Sequence, residues 1–89
     1  MSTEIFMPKM SDHMEEGRIV RWLVSEGQRV EAGQIMLEVE TDKAIAELES
    51  PAAGILIGVR AAEGESVPVG QTIAFVADEG ESTDTVHSI

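Results

Sequence analysis

Over most of this chain apolar and polar residues alternate with a period of two, and glycine-containing turns cut the alternation into short pieces. Glu4-Ile5-Phe6-Met7 is a short apolar run stopped by Pro8, as expected of an edge strand. Lys9 to Glu16 keeps no sustained period and reads as a surface loop. Gly17 opens a longer strand, Arg18-Ile19-Val20-Arg21-Trp22-Leu23-Val24, which ends at the turn signal Ser25-Glu26-Gly27. Short pieces through Arg29-Val30 and Ala32-Gly33 follow, and then Ile35 to Thr41. In that segment Leu37 and Val39 fall on one side and Glu38 and Glu40 on the other; further on, Ala44, Ala46 and Leu48 alternate with Glu47 and Glu49. Lys43 is therefore expected at a hairpin tip, fixed at its backbone and free at its end, a geometry suited to presenting a tethered group. Helix competes here, because Lys43 to Glu49 is rich in Ala, Glu, Leu and Lys. The apolar positions lack a 3.6-residue spacing, however, and Ser50-Pro51 closes the run, so strand is expected.

The pattern then repeats. A shift of 37 positions carries Gly17 onto Gly54, Glu26-Gly27 onto Glu63-Gly64, Val30 onto Val67, Gly33-Gln34 onto Gly70-Gln71 and Val39 onto Val76. Each half reads as a sheet with one apolar face that cannot be buried alone, so two copies are expected to pack face to face about an approximate two-fold axis. The product is an all-β flattened barrel or sandwich. The shift also places Val20, Trp22 and Val24 on Ile57, Val59 and Ala61, apolar in both halves and expected to form the core, whereas Arg21 falls on Gly58 and Leu23 on Arg60. Glu38 falls on Phe75, a mismatch with no explanation in the sequence. Lys43 falls on Gly80, so one half turns through a hairpin where the other ends, and the lysine is expected at the opposite end from the C-terminal exit.

Composition narrows the possible functions. A chain of 89 residues makes one small domain, which buries only about 60% of its unfolded surface and has little room for an enclosed active site. It has no cysteine, hence no disulfide framework, no zinc-finger pattern and no thiol for redox chemistry of its own. The net charge of -11 argues against nucleic-acid and membrane-surface partners and suits either a partner with a basic patch or simple solubility. No apolar run is long enough to span a bilayer, and no secretory signal begins the chain. A cytoplasmic location in a bacterium is expected, with the mitochondrial matrix as the alternative for a mature fragment. The folded domain is expected over residues 1–79, and residues 80–89 are expected to form a polar tail or the start of an interdomain linker.

Candidate chemistry centres on the lysine. Glu38 to Glu49 holds Lys43 among five carboxylates, Glu38, Glu40, Asp42, Glu47 and Glu49. These favour the ammonium, so Lys43 is expected to be a poor spontaneous nucleophile and a better target for an enzyme that brings an activated acyl group. His13 is expected to be a solvated loop histidine, because the only other histidine, His87, lies in the polar tail. Met10 and Met14 suit covering a neighbouring turn or a contact surface, although gap-filling is the commoner use of methionine. No paired acid and base, metal cluster or phosphate-cradling loop marks an enzyme.

Glu40-Thr41-Asp42-Lys43-Ala44, preceded by Met14-Glu15-Glu16-Gly17, Trp22-Leu23-Val24, Glu26-Gly27, Val30 and Gly33 and followed by Pro51-Ala52-Ala53-Gly54, resembles the lipoyl domain of 2-oxo acid dehydrogenase complexes over roughly residues 4 to 78. The resemblance implies two four-stranded antiparallel sheets and lipoic acid in amide linkage on Lys43. It implies that Asp42 and Ala44 help a lipoate-attaching enzyme find the lysine. It also implies that Met10, Ser11, Asp12, His13, Met14 and Glu40 contribute to recognition by a thiamine-dependent 2-oxo acid decarboxylase.

The domain would then be a non-catalytic swinging arm. The decarboxylase reductively acylates the dithiolane, the acyl group passes to coenzyme A at an acyltransferase core, and dihydrolipoamide dehydrogenase restores the disulfide. Met14-Glu15-Glu16-Gly17 and Trp22-Leu23-Val24 are closer to the pyruvate and acetoin types than to the 2-oxoglutarate type. The initiator methionine and the polar tail suggest the N-terminal part of a longer acyltransferase subunit, and the isolated domain is expected to be a monomer. A biotinyl domain shares the lysine hairpin but usually has methionine on both sides of its lysine, where this chain has Asp42 and Ala44. The glycine-cleavage carrier is longer and differs around the lysine. An unmodified β-sandwich with an acidic interaction face is the remaining alternative.

Overall fold

The computed structural model describes residues 2–78. The expected tail over 80–89, with Gly80 and His87, lies outside them. Eight strands follow in order: β1 Ser2–Phe6, β2 Glu16–Trp22, β3 Arg29–Val30, β4 Ile35–Glu40, β5 Ile45–Glu49, β6 Gly54–Ile57, β7 Ser66–Pro68 and β8 Thr72–Ala77. They form two four-stranded antiparallel sheets, β1-β8-β6-β3 and β5-β4-β2-β7, and no helix occurs among the described residues. The sheets make a flattened sandwich rather than a closed barrel. Between them lie Ile19, Val30, Met36, Leu37, Val39, Leu56, Val67, Ile73 and Val76, all essentially without solvent contact. Burying each of the larger side chains contributes about 1.5–3 kcal/mol.

The internal repeat governs the backbone. The same shift of 37 carries β4 onto β8 end to end, and it maps one set of hydrogen bonds onto another. Gly27 N–H donates to Leu56 O at 2.6 Å and Gly64 N–H to Ile19 O at 2.7 Å; Leu56 N–H donates to Gln28 O at 3.0 Å and Ile19 N–H to Glu65 O at 2.8 Å. These pairs also correct one expectation. The halves are not separate sheets: β3 of the first half joins β6 of the second, and β7 of the second joins β2 of the first. Each sheet is completed by a strand from the other half, so neither half is a folding unit. In the β1-β8-β6-β3 sheet the place that β5 holds in the other is taken by β1, since a shift of 43 carries Ser2–Phe6 onto Ile45–Glu49. Here too the bonds match: Met7 N–H donates to Gln71 O at 2.9 Å as Ser50 N–H does to Gln34 O at 2.8 Å.

The core differs from the expected set at two places. Val20 and Ile57 are only half-buried, whereas their neighbours Ile19 and Leu56 are fully buried. For Val20 the cause is a β-bulge; Ile57 is the last residue of β6, whose register against β8 is regular. On β2 the register against β4 shifts between Ile19 and Arg21, so Val20 is an extra residue that reverses the inward parity. Beyond the bulge the expected side of β2 faces inward again, with Val24 buried and Trp22 packed against the core, and past the end of β6 Ala61 is buried and Val59 packs against the core. Trp22 Nε1–H donates to Ala61 O at 2.9 Å. The mismatch of Glu38 with Phe75 also finds its cause. Glu38 faces Arg21 across the β2–β4 pair, with 3.6 Å between carboxylate and guanidinium. In the second half Gly58 stands where Arg21 does, and the Phe75 ring covers it with Arg60 5.0 Å above the ring centre. An ion pair in one half has been exchanged for an aromatic on a glycine in the other, both partners together.

Candidate functional site: the Lys43 turn

β4 is held by burial of Met36, Leu37 and Val39, while β5 lies at the sheet edge with Ala46 and Leu48 half-buried. Their ladder ends at Glu40 opposite Ile45. Beyond it Thr41 N–H donates to Ala44 O at 2.8 Å, leaving Asp42 and Lys43 at the corners of a two-residue hairpin turn. Such turns usually need a left-handed corner residue, yet no non-glycine residue among those described has a positive φ. The Thr41 side chain closes the turn instead. Its hydroxyl accepts from Lys43 N–H at 3.2 Å and Ala44 N–H at 3.1 Å and donates to Ala44 O at 2.9 Å. The backbone that carries Lys43 is thereby fixed, while its side chain is exposed and its ammonium makes no ion pair among the described residues.

Strand pairing locates this turn in the molecule. β7 joins β2 at Glu16 to Arg18, where Arg18 also faces Glu40, and this is the lysine end. β3 joins β6 at Gly54 and Ile55, where Ile55 faces Ala77 and Ala77 faces Ser2. β2 runs from the first end toward the second and β4 runs back. Lys43 and the Ser2–Ala77 pair therefore lie at opposite ends of the sandwich.

The residues expected around the lysine are only partly where the sequence put them. The loop between β1 and β2 does lie beside the turn, linked by Ser11 Oγ–H donating to Asp42 Oδ1 at 2.9 Å. Asp12 and His13 are exposed, Met10 and Ser11 are half-buried, and Ala44 is exposed on the turn. Glu40 is exposed and paired with Arg18 at 3.2 Å. Met14 is 4% exposed and fills the core, the gap-filling use that methionine suits; its Sδ accepts Met10 N–H at 3.2 Å, and it also lines the cleft beside the turn. Between loop and turn runs an open cleft of about 500 Å³, lined by His13, Glu15, Glu16, Arg18, Glu40 and Asp42 among others. Sequence reasoning passed over Thr41 and Arg18. A threonine two residues before a turn lysine was a readable signal for the first; for the second only register supplies the partner.

An exposed lysine on a side-chain-locked turn at one end of the sandwich has the geometry of a carrier domain, open to an enzyme that would attach a group to the amine. The comparisons with known proteins specify which kind. Residues 3–76 match the Biotin_lipoyl family, described as biotin-requiring enzyme. The chain is 48% identical over 87 residues, 97% of its length, to the dihydrolipoyllysine-residue acetyltransferase component of the pyruvate dehydrogenase complex of Zymomonas mobilis, of which it covers 20%. It is 42% identical over 85 residues, 94% of its length, to the mitochondrial pyruvate dehydrogenase protein X component of Mus musculus, of which it covers 17%. In fold it is similar to the solution structure of the lipoyl domain of the 2-oxoglutarate dehydrogenase complex from Azotobacter vinelandii, with a TM-score of 0.74, 23% identity, and coverage of 88% of this chain and 99% of that one. The chain belongs to the biotinyl/lipoyl-attachment domain family. It spans about a fifth of the length of these acetyltransferase relatives.

Proposed function

We propose that Lys43 carries lipoic acid in amide linkage and that the domain is the swinging arm of a pyruvate-type 2-oxo acid dehydrogenase complex, within a longer dihydrolipoamide acyltransferase subunit. The observation that carries this reading is the Thr41-locked turn, which fixes the Lys43 backbone and leaves the amine open to an attaching enzyme. The residues present fit the group: attachment needs an accessible amine on ordered backbone, with no side chain closing over it. The names of the acetyltransferase relatives favour lipoate over biotin, and Asp42 and Ala44 stand where biotinyl domains usually carry methionine.

When bound, lipoic acid supplies a strained cyclic disulfide that takes up an acyl group with two electrons and yields it to coenzyme A. The chain's own residues hold and present it. Thr41 orients the turn, and Asp42 and Ala44 mark the lysine for the attaching enzyme. Attachment at the far end from Ser2 and Ala77 lets the arm sweep outward between the decarboxylase, the acyltransferase core and dihydrolipoamide dehydrogenase, at an effective concentration set by the linker.

The test is intact-mass measurement after incubation with a lipoate-attaching enzyme and, separately, with a biotin-attaching enzyme. A lipoyl-sized gain that maps to Lys43 and disappears in Lys43→Arg is expected. A biotin-sized gain assigns the domain to the other branch of the family, and no gain with either enzyme overturns the carrier reading in favour of an unmodified interaction domain.

A further inference from the structure

The loop of residues 7–15 is anchored at both ends and latched in the middle. At one end Met7 is buried, its N–H donating to Gln71 O at 2.9 Å while Gly70 N–H donates to Met7 O at 2.8 Å. At the other end Met14 is buried and Val69 N–H donates to Glu15 O at 2.9 Å. Between these anchors Met14 N–H donates to Ser11 O at 3.3 Å, closing a turn with Asp12 and His13 exposed at its corners. Among the described residues one side-chain hydrogen bond crosses from this tip to the lysine turn, Ser11 Oγ–H to Asp42 Oδ1 at 2.9 Å. Asp42 immediately precedes Lys43. The open cleft otherwise separates the two segments along His13, Glu16, Arg18 and Glu40.

We propose that Ser11 is a positioning residue: through Asp42 it latches the Asp12-His13 tip at a fixed distance from Lys43, so that loop and lysine turn meet the decarboxylase component as one surface. The proposal rests on the reading of Lys43 as a lipoyl carrier. It separates two recognition events. The attaching enzyme needs the turn, which Thr41 holds without help from the loop, whereas the decarboxylase engages turn and loop together. Loss of the latch leaves the tip tethered only at Met7 and Met14, and a partner must then order it on binding, which weakens the encounter and leaves the bound chemistry unaltered.

The experiment compares the wild-type domain with Ser11→Ala and Ser11→Thr, the second retaining a hydroxyl. Lipoylation rate is measured by intact mass. Reductive acylation is measured with the decarboxylase component of a pyruvate dehydrogenase complex, and backbone ¹⁵N relaxation is measured on the unlipoylated domain. Ser11→Ala is expected to be lipoylated within about twofold of the wild-type rate and to raise KM for the domain about five- to tenfold, as befits one exposed hydrogen bond to a carboxylate. Its kcat is unchanged, and fast backbone motion increases at Asp12 and His13. Ser11→Thr restores both quantities. An unchanged KM, or tip relaxation identical to wild type, overturns the latch. A joint fall in unfolding midpoint, lipoylation rate and kcat marks Ser11 as merely structural and overturns it as well. A wild-type domain that takes up no lipoyl group overturns the carrier reading itself, and the latch falls with it.

Discussion

Thr41 shows how much of the site depends on one hydroxyl. Asp42 and Lys43 occupy hairpin corners without left-handed backbone, and the Thr41 side chain supplies three hydrogen bonds that hold them there. Thr41→Val keeps the shape and the backbone bond from residue 41 to Ala44 O but removes all three. The freed N–H groups of Lys43 and Ala44 are exposed and can turn to water, so the net loss is about 1 kcal/mol. In a domain of this size that lowers Tm by about 4–8 °C, and the lipoylation rate of Lys43 falls with it because the turn frays. Thr41→Ser, which retains the hydroxyl, restores most of both; thermal unfolding and timed mass measurement check the pair, and a Thr41→Val domain as stable and as readily lipoylated as wild type contradicts this account. At this scale the sequence made legible the exposed turn position of Lys43, which alternation and the turn residues decide, and was silent where a contact decides. Met14 reads as gap-filling before contact surface, but that its Sδ takes up the Met10 N–H shows only in the chain path.

At the scale of elements, two-fold mates carry unequal burdens. Gly17 on β2 and Gly54 on β6 are equivalent under the 37-residue shift, and both are buried. A Cβ at Gly17 would lie 2.7 Å from Met7 Sδ, 2.7 Å from Val39 Cγ1 and 3.0 Å from Met14 Cε, all side-chain rather than backbone atoms, two of them the ends of flexible methionines. A Cβ at Gly54 would collide with the Ala77 carbonyl, backbone that β6 itself pairs with through Ile55. Gly17→Ala is therefore expected to fold with a loss of about 1–3 kcal/mol. Gly54→Ala, which must break the β6–β8 ladder, is expected to lose more than about 4 kcal/mol. Urea unfolding midpoints of the two variants decide this, and equal losses contradict it. The same strands explain what the sequence conveyed of the fold. Period-two alternation and the repeated glycines were enough to give strands, two sheets and pseudo-symmetry. They could not give the bulge at Val20, because one extra residue leaves composition unchanged and reverses every later face. Nor could they give the exchange of β3 and β7, because strands of two and three residues carry no signature of which sheet they join.

Across the whole molecule the repeat has kept the backbone symmetric and let the charge diverge. On the outer face of the lysine-bearing sheet Glu38 pairs with Arg21 and Glu40 with Arg18, while Glu47 and Glu49 have no ion pair among the described residues. In the other sheet the places of Arg18, Val20 and Glu38 are taken by Ile55, Ile57 and Phe75. The outer face of the lysine-bearing sheet thus has two carboxylates in excess, Glu47 and Glu49, and it adjoins the amine. Glu47 also stands directly opposite Glu38 in the ladder, and like charges so placed cost about 0.2–1 kcal/mol. A carboxylate that lowers stability while facing solvent has to be judged by association. Glu47→Gln is accordingly expected to raise stability by a few tenths of a kcal/mol and to slow docking on a partner with a basic patch. For the wild-type domain, raising ionic strength about tenfold is expected to cut the association rate with the decarboxylase proposed as its partner by about tenfold or more, and the slope is shallower in Glu47→Gln. Stopped-flow association at several salt concentrations, beside urea unfolding of the same samples, tests both halves. Stability and on-rate moving in opposite directions is the signature, because a packing effect would move them together and a solubility effect would move neither.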